Sequence, residues 1–498
     1  MGEGQATVFQ PDFNGSVHIE GSSDRLTSNA GALLLRETDH RLGLVESLAG
    51  AIFDPRKREL IRYTMAELLR ERLYSLALGY SAQDDVDRLA HDPALKIATW
   101  NRSGDRVIDE RLASQPTQSR LVGYLADSRN KNALRDALSD WTHRHLRSTS
   151  VDRRVRHAVI DIDSFPITVH GQQEGASYNG HYRDTVYHPI VASFSVGGDY
   201  DSTRIGKRLG NGFIHAALRQ GQVHTAQGVK RFIENTVRKA RQMAYQFELR
   251  LDAGYVSGHV LDYLTDEKVR FYGRIRTNQN LQRMAEPHLT RPPGRPPAQG
   301  YEKVVELGRY QAQGWKHSQR LILVIVDKPD PRTGQLNLLP HAFFIVTNLP
   351  ENQRDGWAVL GGYRQRGAFE DRLGEFQQVI GSHLSSSSFD HNEVTMLLGL
   401  LAYNLASMLR IELEDDLGGC WDLGRFQVSV LRAGGRVVKH ARYLRVDVAQ
   451  CVANFWTRLF IRIRQLKLPS RWAQPKGAQR RAWRPPPRHA HLCEVLRE

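Results

Sequence analysis

The sequence predicts a mixed α/β protein: an α/β core interrupted by a β-rich insertion and preceded by a mainly helical N-terminal region. Three observations carry this. Strand, helix and strand patterns follow one another between residues 155 and 252. Four strand-like segments then occur between Val269 and about Leu349, with Pro- and Gly-rich turns among them. Helical periodicity flanks both blocks.

In order along the chain, residues 1 to about 50 are polar and poorly periodic. Asp54-Pro55 reads as an N-cap followed by Pro at the first helical position. The helix behind it carries Ile61, Met65, Leu68, Leu69, Leu73, Leu76 and Tyr80 on one stripe, with basic residues opposite. Ser114 to Arg120 opens a second helical pattern that continues through Leu121, Leu125, Leu134 and Leu138. The texture changes at Val155, where β-branched residues alternate to Val169 and put Asp161 and Asp163 on one face. A glycine-rich stretch (Gly197 to Gly212) precedes an amphipathic helix through Val229, Phe232, Ile233, Val237, Ala240 and Met243. Phe247 to Asp252 alternates again. The β-rich block holds Val269–Ile275, Tyr301–Leu307, Leu321–Val326 and Ala342–Val346, and helical periodicity runs from Gly362 to about Leu409. There is no internal repeat. The expected division is a helical region (1–150), a core in two parts (151–265 and 351–461), an insertion (266–350) and a basic tail (462–498).

Length and charge narrow the function. The 498 residues suggest about three domains. A net charge of +15 and a pI near 9.8 point to a polyanionic partner, nucleic acid or an acidic membrane. The last 37 residues hold ten Lys/Arg against two Asp/Glu, with Trp472, Trp483 and Pro485 to Pro487. They read as an extended tail that clamps phosphates without reading sequence, or as a solvated extension. Cys420, Cys451 and Cys493 form neither a disulfide framework nor a zinc spacing, which suits a reducing cytoplasm. Residues Met1 to Phe13 lack the pattern of a signal peptide. Val394 to Leu409, interrupted by Asn404, is shorter than the ~20 residues of a membrane span, so no transmembrane segment is expected.

Three carboxylates draw attention: Asp163 on the first core strand, Asp252 at the end of another, and Glu370 on the helix after the insertion. Phosphoryl transfer gives a reason to gather them, because Mg²⁺ or Mn²⁺ takes oxygen ligands, and two such ions serve the attacking and leaving oxygens. A strand-end Asp taken singly is more often a cap or turn residue. At about 100° per residue, Tyr363 and Glu370 lie about 20° apart on a helix and Arg366 about 60° from Tyr363. One face then presents a phenol, a guanidinium and a carboxylate; a solvated charged face is the alternative.

These residues resemble a known family. Tyr363, Arg366 and Glu370 match the Y-x(2)-R-x(3)-E pattern of DDE transposases from bacterial insertion sequences, and Asp163-Ser164 and Leu251 to Tyr255 resemble their two Asp strands. Gln173 to Ala176, Tyr187 to Pro189, Leu218 to Gly221 and Ala402 to Leu405 look like the group 1 branch. The resemblance covers about 50 to 410. It implies an RNase H-like core, with Asp163, Asp252 and Glu370 as catalytic ligands of two Mg²⁺ (Mn²⁺ substituting) and Tyr363 and Arg366 on phosphates. It further implies a bacterial, cytoplasmic enzyme at the nucleoid that binds the terminal inverted repeats of its element. Such an enzyme cleaves the ends, joins the 3′-OH to target DNA, and synapses them as a homodimer. A catalytically silent DNA-binding protein or a nuclease without strand transfer are the alternatives.

Two positions depart from the pattern. Gln377 stands where Lys is usual, with Arg372 as a candidate substitute, and Phe165 stands where a small hydroxyl residue is usual. Asp161 therefore stays open as the first ligand; should Glu370→Ala still cleave, Glu375 or Asp371 would be the next third carboxylate to consider. Arg120, in a segment that starts like a recognition helix, is a candidate DNA contact, an ordinary capped helix being the other reading. In related transposases that form hairpin ends, an aromatic residue of the insertion stacks on a flipped base. Trp315 is the candidate, packing within the insertion the alternative. His181 and His188 lack a zinc spacing, and Gly210 to Gly212 lacks a dinucleotide fingerprint.

Overall fold

The computed structural model describes residues 12–14, 16–18, 24–102, 104–149, 154–196, 212–223, 227–291, 300–329, 340–381, 383–414, 421–440 and 443–467. Most of the glycine-rich stretch, Cys420, Cys493 and the tail beyond 467 lie outside them.

The chain opens with β1 (Arg25–Thr27), α1 (Ala32–Leu42) and α2 (Leu44–Ala51). Two helices thus occupy a segment that reads as aperiodic. Gly43, at φ 60°, separates them in a left-handed turn, and polar Thr38 and Asp39 point inward, which breaks the apolar stripe. The next helix, α3 (Met65–Ala77), starts ten residues later than expected. Thr64 and Glu67 form a reciprocal capping box there, while Asp54 binds Arg56 instead of capping a helix. The expected basic face is also absent, because every residue of α3 is buried. Arg70 pairs inside with Asp39 (3.0 Å) and Glu46 (2.5 Å). Then follow α4 (Asp85–Leu89), α5 (Pro93–Thr99), α6 (Gln115–Leu125) and α7 (Ser128–Thr149).

The strands β2 (Val155–Ser164), β3 (Ile167–Thr168), β4 (Ser177–Asn179), β5 (Asp184–Tyr187), β6 (Ile190–Val196) and β7 (Gly212–Ala217) come next. After α8 (Val229–Met243) and β8 (Ala244–Leu251) come α9 (Gly258–Asp266), β9 (Arg270–Ile275) and α10 (Gln279–Ala285). The strands β10 (Tyr301–Tyr310), β11 (Gln319–Asp327) and β12 (His341–Thr347) precede α11 (Gly356–Arg364), α12 (Gly367–Val379) and α13 (Phe389–Leu413). The described chain closes with α14 (Leu423–Phe426), β13 (Gly435–Lys439), β14 (Leu444–Val448) and α15 (Gln450–Gln465).

One eight-stranded mixed sheet runs β10-β11-β12-β9-β8-β2-β6-β7. Its centre, β2, β8 and β9, is parallel; the strands beyond on either side are antiparallel. The β-rich block is therefore continuous with the core sheet. Its first expected strand, Val269–Ile275, is the core strand β9, buried between β8 and β12. One sheet face packs under α8 and α9 through Ile160, Ile162, Leu249 and Leu251. The other is covered by α13 and α7 at the β7 end and by α11 at the β9 end.

Helix α13 is the hub of the helical layer, touching α1, α3, α6, α7, α15 and β7. It is long and apolar enough by length and composition to cross a membrane, and here it is buried in the core. The N-terminal helices thus share one core with the C-terminal ones, and β1 pairs with β13 across the chain. Arg462, expected at the start of the tail, lies in α15 and donates to the Glu412 carbonyl (2.5 Å), with Ile463 and Leu466 buried beside it.

Candidate functional site

Strands β2 and β8 are parallel neighbours, with Asp161 opposite Arg250 and Ile162 opposite Leu251. One residue further along, Asp163 and Asp252 emerge side by side at the same end of the sheet. Alternation directs Ile160 and Ile162 into the core under α8, so Asp161 and Asp163 take the opposite face.

Their surroundings separate them. Asp161 is fully buried, and Arg250 grips both its oxygens at 2.6 and 2.5 Å while donating to the Gly362 carbonyl of α11 (3.0 Å). Asp163 lines an open cleft of about 610 Å³ with Asp252. It accepts the Ser164 N–H (2.8 Å) and pairs with Arg366 (2.5 Å). Burial raises the Asp163 pKa above the ordinary carboxylate value; Arg366 counters this and the Asp252 charge adds to it.

Tyr363 and Arg366 do not share one straight helix with Glu370. α11 ends at Arg364, and α12 begins at Gly367. The tight step between them is spanned by Arg366 N–H to Tyr363 O (3.0 Å). Near this break the buried Arg366 guanidinium reaches Asp163 on one side and Glu370 (2.9 Å) on the other. Burial works to lower the Arg366 pKa, yet Asp163 and Asp252 raise it above its usual value. Burial pushes the Tyr363 phenol up to about 12. Glu370 is 61% exposed and is tied to Asp163 through Arg366. Among the described residues no three His, Cys, Asp or Glu groups gather closely enough to hold a metal. Asp163 and Asp252 nevertheless suit a hard cation: two oxygen donors of like charge share one cleft, and one is desolvated.

The remaining candidates divide. Gln377 donates to the Pro166 carbonyl (2.9 Å) and Phe165 packs edge-on against Phe376 (6.1 Å), so both fasten the end of β2 to α12. Arg372 cannot substitute for the missing Lys, since it is buried against the rings of Phe213 and Tyr403. Glu375 is engaged by Arg410 (2.5 Å), the Leu423 N–H (2.7 Å) and Tyr403, which removes it as an alternative third carboxylate. Trp315 stands edge-on to Tyr310 (5.7 Å) and packs over Gly258 at the start of α9, and is not among the residues lining the cleft. Arg120 is exposed on α6 and lines a separate cleft of about 420 Å³ with Arg56, Arg62 and Arg111. His188 has its ring nitrogens near the Val223 carbonyl (3.3 Å) and the Tyr182 hydroxyl (3.4 Å).

The four short motifs build the support of the site. Gly221 N–H bonds Gly175 O (3.1 Å), and a Cβ at Gly221 would lie 2.0 Å from Val186 O, so only glycine fits. Tyr187 donates to Glu174 O (2.7 Å), and Asn404 holds both backbone groups of Phe213 on β7. Tyr255, whose hydroxyl donates to Ser164 Oγ (2.7 Å), and the cleft residues Tyr178, Tyr182 and Arg276 were not singled out from the sequence. Tyr255 was within reach as part of the motif around Asp252; Tyr178 and Tyr182 carry no periodic signal.

No curated protein matches the chain. Among solved structures, a cryo-EM piggyBac transposase synaptic complex with hairpin DNA is similar at 12% identity and a TM-score of 0.41. The likeness covers 90% of this chain and 87% of that one. The family model for the transposase DDE domain, group 1, matches residues 9–468. The chain belongs to that family and is a DDE transposase.

Proposed function

We propose that the protein binds the terminal inverted repeats of a bacterial insertion sequence, cleaves the ends and joins the resulting 3′-OH to target DNA. Asp163, Asp252 and Glu370 would hold the divalent ions, two Mg²⁺ with Mn²⁺ as substitute. When bound, such ions supply activation of the attacking oxygen and stabilisation of the leaving one. The observation that carries this reading is the shared cleft of Asp163 and Asp252, with Glu370 linked to it through Arg366. The planar guanidinium of Arg366 suits a phosphate beside the scissile bond, and the half-buried Tyr363 phenol stays protonated as a donor to it. The order β7-β6-β2-β8-β9 supports an RNase H-like core, with β10 to β12 as the insertion along its edge. The arginine-lined cleft around Arg120 and the charge of +15 support a grip on duplex DNA. The ends would be synapsed by a homodimer at the nucleoid.

The test is incubation with labelled DNA from the inverted repeats flanking the gene and a target plasmid. Joined product is expected; cleavage alone would reduce the protein to a nuclease, and no reaction to a DNA-binding protein. Asp163→Ala, Asp252→Ala and Glu370→Ala should each abolish cleavage and leave end binding largely intact. Full cleavage by Glu370→Ala would overturn that assignment.

A further inference from the structure

The wall of the cleft facing the carboxylates is a hairpin, β4–β5, that belongs to a small sheet of its own with β3. It brings the rings of Tyr178, His181 and Tyr182 to the cleft lining. Tyr178 is 64% exposed, although it is a large ring on a strand. His181 stands edge-on to Tyr182 (4.8 Å), and Tyr182 edge-on to the buried His188 (5.6 Å). These rings line the same cleft as Asp163 and Asp252.

The hairpin is held in place before any ligand arrives. Asn179 donates to the Gly221 carbonyl (2.8 Å), Gln222 N–H bonds Ser177 Oγ (2.9 Å), and Asn179 Oδ1 accepts the His181 N–H (3.0 Å). Arg183 sits at φ 57°, a left-handed conformation that a non-glycine residue adopts at a cost. Its N–H bond to Asn179 O (2.8 Å) closes the turn and fixes the presentation of the rings.

An exposed aromatic in a cleft that also holds two carboxylates and Arg276 has a specific use. In a duplex the base faces are covered by their neighbours, so a side-chain ring reaches one only when the nucleotide is unpaired or extruded. Resting on the transposase reading above, we propose that the β4–β5 hairpin is the nucleotide-stacking wall of the active site. Tyr178 takes the face of an unpaired base next to the scissile phosphate, backed by His181 and Tyr182, and Arg276 across the cleft meets the backbone of the same strand. This assigns the stacking role to the hairpin following the first core strand, with Trp315 left to packing.

The full-length protein without divalent metal is titrated with two probes. One is a blunt duplex; the other is the same duplex with a short single-stranded extension carrying 2-aminopurine. The tailed probe should bind about tenfold tighter, with quenched fluorescence. Tyr178→Ala should remove both the preference and the quench while blunt-duplex affinity and melting temperature stay unchanged; Tyr178→Phe should keep both. An undiminished preference and quench in Tyr178→Ala, or no preference in the parent protein, would overturn the proposal. Because these readouts need no cleavage, they are independent of the joining assay: a protein that shows the preference but cuts nothing refutes the transposition reading alone.

Discussion

Arg250 holds Asp161 with two parallel hydrogen bonds at 2.6 and 2.5 Å, and both side chains are completely buried. Two residues along the same strand, Asp163 faces the cleft with its carboxyl pKa raised. The two aspartates therefore respond differently to the same substitution. Asp161→Asn breaks a buried ion pair and should cost about 3–5 kcal/mol in thermal or urea unfolding. Asp163→Asn should change stability by less than about 1 kcal/mol and abolish cleavage. The reverse pattern would make Asp161 the functional carboxylate.

Two buried groups tilt stability with pH in opposite directions. His215, stacked on Phe232 at 4.5 Å, is pushed down to about 3 by burial, with Lys239 and Arg135 adding to the effect. Below pH 6.5 the unfolded chain binds a proton there that the folded protein refuses, so stability falls as pH drops toward about 3. Glu71 is pushed up to about 8 by burial. The folded protein keeps its proton where the unfolded chain releases it, so stability falls as pH rises from 4.5 to about 8. In melting temperature against pH, His215→Gln should flatten the acid side and Glu71→Gln the alkaline side. Profiles parallel to the parent would refute the assignment.

Trp315 packs against Tyr310 and the start of α9. Trp315→Ala should lower stability by about 2–3 kcal/mol. At a temperature where the variant stays folded, it should process both DNA strands in the parent ratio. Selective slowing of the second strand would return Trp315 to the base-stacking role.

Arg120 shares its cleft with three further arginines, an arrangement suited to phosphates more than to base edges. Arg120→Ala should weaken end DNA and random DNA equally and reduce the slope of log K against log salt by about 0.9. A larger loss on end DNA would make it a base reader. Leu466 is buried, so the basic tail is properly removed after Lys467, outside α15. That truncation should weaken all DNA and flatten the salt dependence.

What the sequence revealed follows from where periodicity survives. The alternation of β2 and β8 is regular because one face meets a uniform apolar layer, so Asp163 and Asp252 could be read from it. The paired break at Gln365 and Arg366 was hidden, since both residues keep helical dihedral angles and helix spacing continues across it. Helices α1 and α3 were misjudged because Asp39, Arg70 and Glu67 are polar residues satisfied inside the core, where a pattern of apolar residues cannot register them. The hairpin of Tyr178 was missed for a third reason: its strands are three and four residues long and anchored by loops distant in sequence.

The position of α13 at the centre of the helical layer has a consequence for synthesis. Helices α1, α3 and α7 emerge from the ribosome long before the residues that cover them, and β1 waits for a partner beginning at Gly435. At ~5–20 residues per second, that interval lasts roughly 20–80 s. Until then the nascent chain exposes apolar surface to chaperones and proteases. A product stopped before Phe389 cannot complete this layer, so the gene should yield no stable N-terminal fragment to compete for DNA. Only a finished chain should accumulate, and each finished chain carries both the arginine cleft and the carboxylates.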